Sequence, residues 1–286
     1  MRSAALLCLL VFPALFAGCG SSPAGTDPNP PGTIPPKSAL PVLDGNWEFI
    51  ATYPTNAVFP AQLPTPVANF TGALQSSGGK VTGTLRALAL PASTACVGIF
   101  TDLPASGTLD GAGNLTLSIA VSGGTATITT ALAGNLQTKT PGSWIITGGP
   151  CAMPSTAIQA QQFAPFTGTY SGAFNQIDLT TAQPVPGTSV AVTAPVSQSS
   201  LPDANGQFQF TGTVAISGSC TGAISITQGI VAGNGVDSPA FDALAQHPIP
   251  PIFGGALNGS ASALIGHFTL LPACANKPYE GVLTRQ

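Results

Sequence analysis

Few side chains in this sequence could carry out acid–base or metal chemistry. The chain has two glutamates, Glu48 and Glu280, each close to aromatic residues at the start or end of an expected strand. Paired carboxylates hydrolyse glycosidic bonds in many enzymes, so an extracytoplasmic hydrolase is one hypothesis. A solubilising role on edge strands also explains both residues. The two histidines, His247 and His267, have no second ligand at metal spacing.

The sequence also lacks the short motifs that mark common active sites. It contains no G-x-S-x-G nucleophile elbow, no glycine-rich phosphate loop and no H-E-x-x-H zinc motif. We therefore predict a non-enzymatic protein with no catalytic residue, no cofactor and no metal.

Two Asp/Asn clusters resemble fragments of calcium-binding loops. Asp110 is followed by Asn114, and Asp203 by Asn205. A calcium site needs six to eight oxygen ligands, and both patterns lack the third acidic ligand and the distal bidentate glutamate. Because Asp and Asn bond to their own backbone in tight turns, we interpret both clusters as turn residues.

Four cysteines follow the N-terminal region with a regular spacing. Cys96 and Cys151 are 55 positions apart, and Cys220 and Cys274 are 54 apart. Four cysteines permit three pairings. A duplicated chain favours Cys96–Cys151 with Cys220–Cys274, because each copy then closes its own bridge. The chain has no C-x-x-C pair and no histidine beside a cysteine, so metal binding is the weaker alternative.

Other residues recur with nearly the same offset as the cysteines. Gly45 and Trp47 match Gly168 and Tyr170, and the stretch at 82–84 (Thr-Gly-Thr) recurs at 211–213. A repeat of about 124 residues explains these matches.

Short alternating segments fill both copies. Residues 115–121 alternate apolar and polar side chains, as a half-buried strand does. We predict an all-β fold of two tandem antiparallel repeats, each a barrel or sandwich with one disulfide. The repeats are expected at residues 44–152 and 165–286, joined by a polar linker. The alternative is one larger sheet built from both copies.

The aromatic residues suggest either a packed core or a ligand cavity. A barrel that carries an apolar ligand would line its lumen with them, whereas a small β repeat would bury them as its core. The candidates are Trp47, Phe49, Tyr53, Phe59, Trp144, Phe163, Phe166, Tyr170, Phe174 and Phe268.

The composition excludes two broad classes of protein. The 286 residues carry 7 Lys/Arg and 10 Asp/Glu, a net charge of −3, so the basic surface of a nucleic-acid binder is missing. With 44% apolar residues and few charges, the chain is also unlike a disordered protein.

The N-terminal residues have a pattern that is typical of an export signal. After Arg2, residues 4–17 are apolar except for Pro13, a run of about 21 Å that is too short to span a bilayer. The run ends at 15–19 in Leu-Phe-Ala-Gly-Cys, which resembles the lipobox of bacterial lipoproteins, with Phe16 departing from the usual aliphatic residue. The resemblance covers residues 1–22. It implies a signal peptide at 1–18 and acylation of Cys19. The alternative is an ordinary secretory signal cleaved near residues 17–18.

A proline-rich segment separates Cys19 from the repeats. Residues 19–43 contain seven prolines among Gly, Ser and Thr, a composition typical of an extended, disordered tether. A proline-rich recognition ligand is the alternative. We therefore expect an exported lipoprotein anchored in the cell envelope, at the outer membrane if the host has two membranes.

The anchored repeats are expected to act as a non-enzymatic binding or structural module. Expected partners are the membrane and a protein or small apolar ligand, but no nucleic acid. The main alternative is a lipocalin-like carrier of a small apolar ligand.

Overall fold

The computed structural model describes residues 40–52, 67–89, 101–121, 123–238 and 252–286. These residues form two eight-stranded antiparallel β-barrels in tandem, which confirms the predicted all-β fold with two repeats. Several positions of interest lie outside the described residues, and the predictions for them stay predictions: residues 1–39 with Cys19, and Tyr53, Phe59, Cys96 and His247.

The first barrel is a simple meander in which each strand pairs with the next. The barrel closes where β1 pairs with β8, Phe49 lying opposite Ala160. Its strands are β1 (Gly45–Thr52), β2 (Val67–Ser77), β3 (Lys80–Ala89), β4 (Thr101–Leu109), β5 (Asn114–Val121), β6 (Gly124–Ala131), β7 (Thr140–Thr147) and β8 (Met153–Phe163).

The second barrel repeats this meander with one added ribbon. It closes where β9 pairs with β17, and the two-residue β10 pairs only with the end of β9. A short 3-10 helix, Pro272–Cys274, precedes the last strand. The strands are β9 (Gly168–Asp178), β10 (Gln183–Pro184), β11 (Val190–Gln198), β12 (Phe208–Gly218), β13 (Gly222–Ala232), β14 (Gly235–Ser238), β15 (Ile252–Leu257), β16 (Ala263–Thr269) and β17 (Tyr279–Arg285).

The predicted boundary between the repeats is wrong. The segment expected to be a linker after residue 152 forms β8, which hydrogen-bonds to β7 and β1 and closes the first barrel. Ile158 and Ala160 point into the core, while the glutamines beside them face outward. Few of its inward positions carry large apolar side chains, so its alternation was too weak to recognise. The connection between the barrels is only residues 164–167.

The two barrels correspond strand by strand when β10 is set aside. Trp47 in β1 and Tyr170 in β9 hold the same position, and so do Trp144 in β7 and Phe268 in β16. Gly83 in β3 and Gly212 in β12 also correspond. A Cβ would lie 2.1 Å from a carbonyl oxygen of the neighbouring strand at Gly83, and 2.4 Å from one at Gly212. The same close backbone approach therefore requires glycine in each copy.

Buried aromatic side chains fill the interior of each barrel. Phe70 packs edge-on against Trp144 in the first barrel, with ring centroids 5.8 Å apart. In the second barrel Phe268 stacks on Tyr279 at 4.8 Å. The fully buried large residues are Trp47, Phe49, Phe70, Leu43, Leu74 and Trp144 in the first barrel, and Phe166, Tyr170, Phe174, Phe210, Phe253 and Phe268 in the second. Every described member of the aromatic set is therefore a core residue.

The described part of the chain contains no helix long and apolar enough to cross a membrane.

Candidate functional site

One predicted disulfide is present at the end of the second barrel. Cys220 lies in the β12–β13 connection and Cys274 in the 3-10 helix before β17, and their sulfurs are bonded. Cys151, in the corresponding β7–β8 connection, is also disulfide-bonded. Cys96 falls between β3 and β4 in the chain, which corresponds to Cys220. The strand correspondence supports the Cys96–Cys151 pairing, which stays a prediction.

The two glutamates are not brought together. Glu280 is exposed on β17 of the second barrel, whereas Glu48 lies on β1 of the first barrel with 3% of its surface accessible. Neither strand is an edge, because each pairs with a neighbour on both sides. The edge-strand explanation is therefore wrong, and Glu48 and Glu280 do not form a carboxylate pair with each other.

Glu48 is buried because the second barrel covers the outer face of β1 and β2. The β13–β14 turn lies against this face, and a Cβ on Gly233 would meet Thr71 Cγ2 at 2.7 Å and Glu48 Cβ at 3.1 Å. The side chain of Asn46 spans the contact: its Nδ2 donates to the Gly233 carbonyl and its Oδ1 accepts from the Gly233 N–H, both at 2.7 Å. This joint could not be predicted from the sequence, because nothing in the sequence marks one outward Asn as covered.

The environment of Glu48 disfavours its charge. Burial raises the pKa of the Glu48 carboxyl, while the hydrogen bond from Asn69 Nδ2 at 2.7 Å and the charge of Lys139 act in the opposite direction. Asn69 Oδ1 and Thr71 Oγ1, both buried, have no hydrogen-bond partner among the described residues. The cluster is therefore a partly satisfied polar network sealed between two barrels.

We predict that Glu48→Gln stabilises the protein at neutral pH by about 1 kcal/mol. The folded-state pKa of Glu48 lies above its ordinary value of 4.5. Its contribution to stability is therefore highest below that value and falls as the pH rises through the folded pKa. Urea unfolding at neutral pH and near pH 4 checks this, with the exposed Glu280→Gln as control. A destabilised Glu48→Gln protein at neutral pH would contradict the prediction.

Another titratable cluster in which burial raises a pKa is on the outer wall of the second barrel. Asp237, Gly254, His267 and Glu280 stand in one cross-strand row on β14 to β17. Because Gly254 has no side chain, Asp237 Oδ1 and His267 Cε1 lie 3.1 and 3.4 Å from the position its Cβ would take. Burial raises the pKa of Asp237, and His267 partly offsets this. Within the described ranges, no three or more His, Cys, Asp or Glu side chains are grouped so that they could hold a metal ion.

Both Asp/Asn clusters are turns. Asp110 Oδ1 accepts hydrogen bonds from the Ala112 and Asn114 N–H groups at 2.8 and 2.9 Å, and Oδ2 accepts from Asn114 Nδ2. The bonds from Asn114 lower the pKa of Asp110. Asp203 accepts in the same way from the N–H groups of Asn205 and Gln207. These carboxylates stabilise hairpin turns, as the sequence predicted.

The best-formed pockets of the described residues are open grooves. One, of about 350 Å³, lies on the outer wall of β5 to β7, where Thr129 and Ser143 share a hydrogen bond of 2.8 Å. The other, of about 290 Å³, lies at the end of the first barrel between Leu40, Val42 and the β2–β3 turn. Neither groove reaches a lumen in which a small ligand would be enclosed.

Comparison of the chain with models of protein families, with curated proteins and with solved structures gives no match.

Proposed function

We propose that this protein is a lipid-anchored module of the cell envelope that acts through its outer surfaces as a binding or structural component, without catalysis. The observation that carries the proposal is the filled interior of both barrels. Trp47 and Trp144 in one, and Tyr170 and Phe268 in the other, are fully buried. Any partner must then bind to the walls, ends or loops.

The anchor follows from the N-terminal sequence. Residues 15–19 resemble a lipobox, and the proline-rich stretch after Cys19 leads to Leu40 at the end of the first barrel. A disulfide such as Cys220–Cys274 is typical of proteins that leave the reducing cytosol. Acyl chains contribute about 0.8 kcal/mol per buried methylene, so several chains together hold a protein firmly.

The lipocalin-like carrier is the main alternative. Eight strands suit a barrel that holds one small ligand. Such a carrier needs an enclosed apolar cavity of about 300 Å³ or more, whereas here the aromatic side chains that would line it contact one another. The carrier therefore has less support than the surface module.

We predict that Cys19→Ala moves the protein from the detergent phase to the aqueous phase in a detergent partitioning assay, because the acylated thiol is its anchor. A matched control is Cys8→Ala, which lies within the signal segment and should be cleaved away without effect on partitioning. Unchanged partitioning of Cys19→Ala would reject the lipid anchor.

A further inference from the structure

The joint between the barrels uses one end of the second barrel and one wall of the first. The β11–β12, β13–β14 and β15–β16 connections form this end, here called the joint end. Gly206 and Gly259 lie so close to the first barrel that a Cβ would sit 2.2 Å from Thr84 O and 1.9 Å from Gln137 O. The Ala164 N–H also donates to Gly259 O at 2.8 Å. Three hairpin tips of one barrel therefore abut the side of the other.

The covered surface, here called the receiving wall, is the outer face of β1 to β3. It consists of Asn46, Glu48, Thr71, Ala73 and Thr84. The first four have between 1% and 3% of their surface accessible, although they point away from the lumen of their own barrel. The second barrel covers this face.

The second barrel has the same wall, uncovered. The strand registers place Thr169, Ser171, Thr193, Pro195 and Thr213 at the positions of the receiving wall, and we call them the free wall. Four of these side chains are exposed and Ser171 is half-buried. None of the five free-wall residues is charged, so burying this wall does not require any of them to lose the hydration of an ionised group.

The first barrel has its own counterpart of the joint end, formed by the β2–β3, β4–β5 and β6–β7 connections. Gln137 in the β6–β7 connection meets Gly259, whereas the part around Leu40 and the β2–β3 turn lines an open groove. Leu43 corresponds to Phe166: both are fully buried, and the N–H of each bonds to a side chain of the next strand, Ser76 and Gln198 respectively. Leu40, three residues earlier, corresponds to Phe163. Phe163 has 4% of its surface accessible and packs at the joint, whereas Leu40 has 36% accessible.

We propose that the free wall binds the Leu40–Asp44 end of the first barrel of a second copy, so that copies associate head to tail and repeat the joint already present within each chain. The proposal rests on the surface role proposed above and names its partner. An interface between two different surfaces generates a ring or an open filament, because each copy added still presents one unpaired surface to the next copy.

Sedimentation velocity of the detergent-solubilised full chain tests this. Interfaces of standard size bind with micromolar affinity or better, so the chain should associate over about 1–100 µM. Thr193→Arg on the free wall and Leu40→Arg on the opposite end should each weaken association at least about tenfold, because either places an uncompensated charge in the contact. Ser118→Arg, on the exposed face of β5, is the matched control and should associate like the wild type.

A mixture of the two variants gives the sharpest result. The intact end of Thr193→Arg fits the intact wall of Leu40→Arg, whereas the two altered surfaces repel each other. Equal amounts should therefore form one-to-one dimers at concentrations at which each variant alone is monomeric. Tryptophan fluorescence and circular dichroism check that each variant is folded, and Thr169→Arg is a second wall variant. A monomeric wild type at about 100 µM, wild-type association by Thr193→Arg, or a monomeric mixture would overturn the proposal. A monomeric chain that is still acylated at Cys19 would leave the envelope function intact, so the two failures are distinguishable.

Discussion

Replacing both Cys220 and Cys274 with alanine is expected to lower the free energy of unfolding of the second barrel by about 4 kcal/mol. The bridge spans 54 residues and joins the β12–β13 connection to the segment before β17, the strand that closes the barrel. Without it, the unfolded chain regains the conformational freedom of that loop. Guanidinium unfolding followed by far-UV circular dichroism measures the change.

The placement of the tryptophans makes this experiment selective. Trp47 and Trp144 are the chain's two tryptophans and both lie in the first barrel, so their fluorescence reports that barrel. The fluorescence transition should therefore move much less than the dichroism transition. The exposed neighbour Thr221→Ala is the control and should behave as the wild type. If the double variant unfolds within about 1 kcal/mol of the wild type, the bridge is not a main support of the barrel.

Asn46→Ala is expected to weaken the coupling between the barrels by about 2–4 kcal/mol, because it leaves the buried N–H and C=O groups of Gly233 without their partners. The wild type should unfold with coincident fluorescence and dichroism transitions, whereas in the variant the second barrel should unfold at lower denaturant concentration. Tryptophan fluorescence and circular dichroism, recorded on the same samples across the denaturant series, measure the two transitions.

The duplication supplies a matched control for this variant. Thr169 holds the position of Asn46 on the second barrel, where it is exposed on the free wall. Thr169→Ala should leave both transitions in place. If the two substitutions had equal effects, the loss of stability would come from changing a residue in this strand position and not from breaking the contact between the barrels.

The sequence was informative wherever local pattern decides structure. Residues 115–121 alternate strictly and form β5, and Trp47 and Tyr170 occupy equivalent places because the same inward position recurs in each repeat. The cysteine spacing predicted the Cys220–Cys274 bridge because a duplicated barrel brings the same two connections together.

The remaining features depend on contacts that are distant in sequence. β8 was mistaken for a linker because its glutamines face outward and its identity depends on closing against β1. Glu48 was expected at an exposed edge, and its burial depends on the β13–β14 turn almost two hundred residues later in the chain. Which outward face is covered is a property of the tertiary packing, and no local periodicity encodes it.

The most direct measurement is a native mass spectrum of the protein extracted from its membrane in mild detergent. If the proposed function is correct, the chain begins at Cys19, carries acyl groups there and contains no further small molecule in its folded state. A stoichiometric apolar compound released only when the barrels unfold, or an unacylated Cys19, would contradict it.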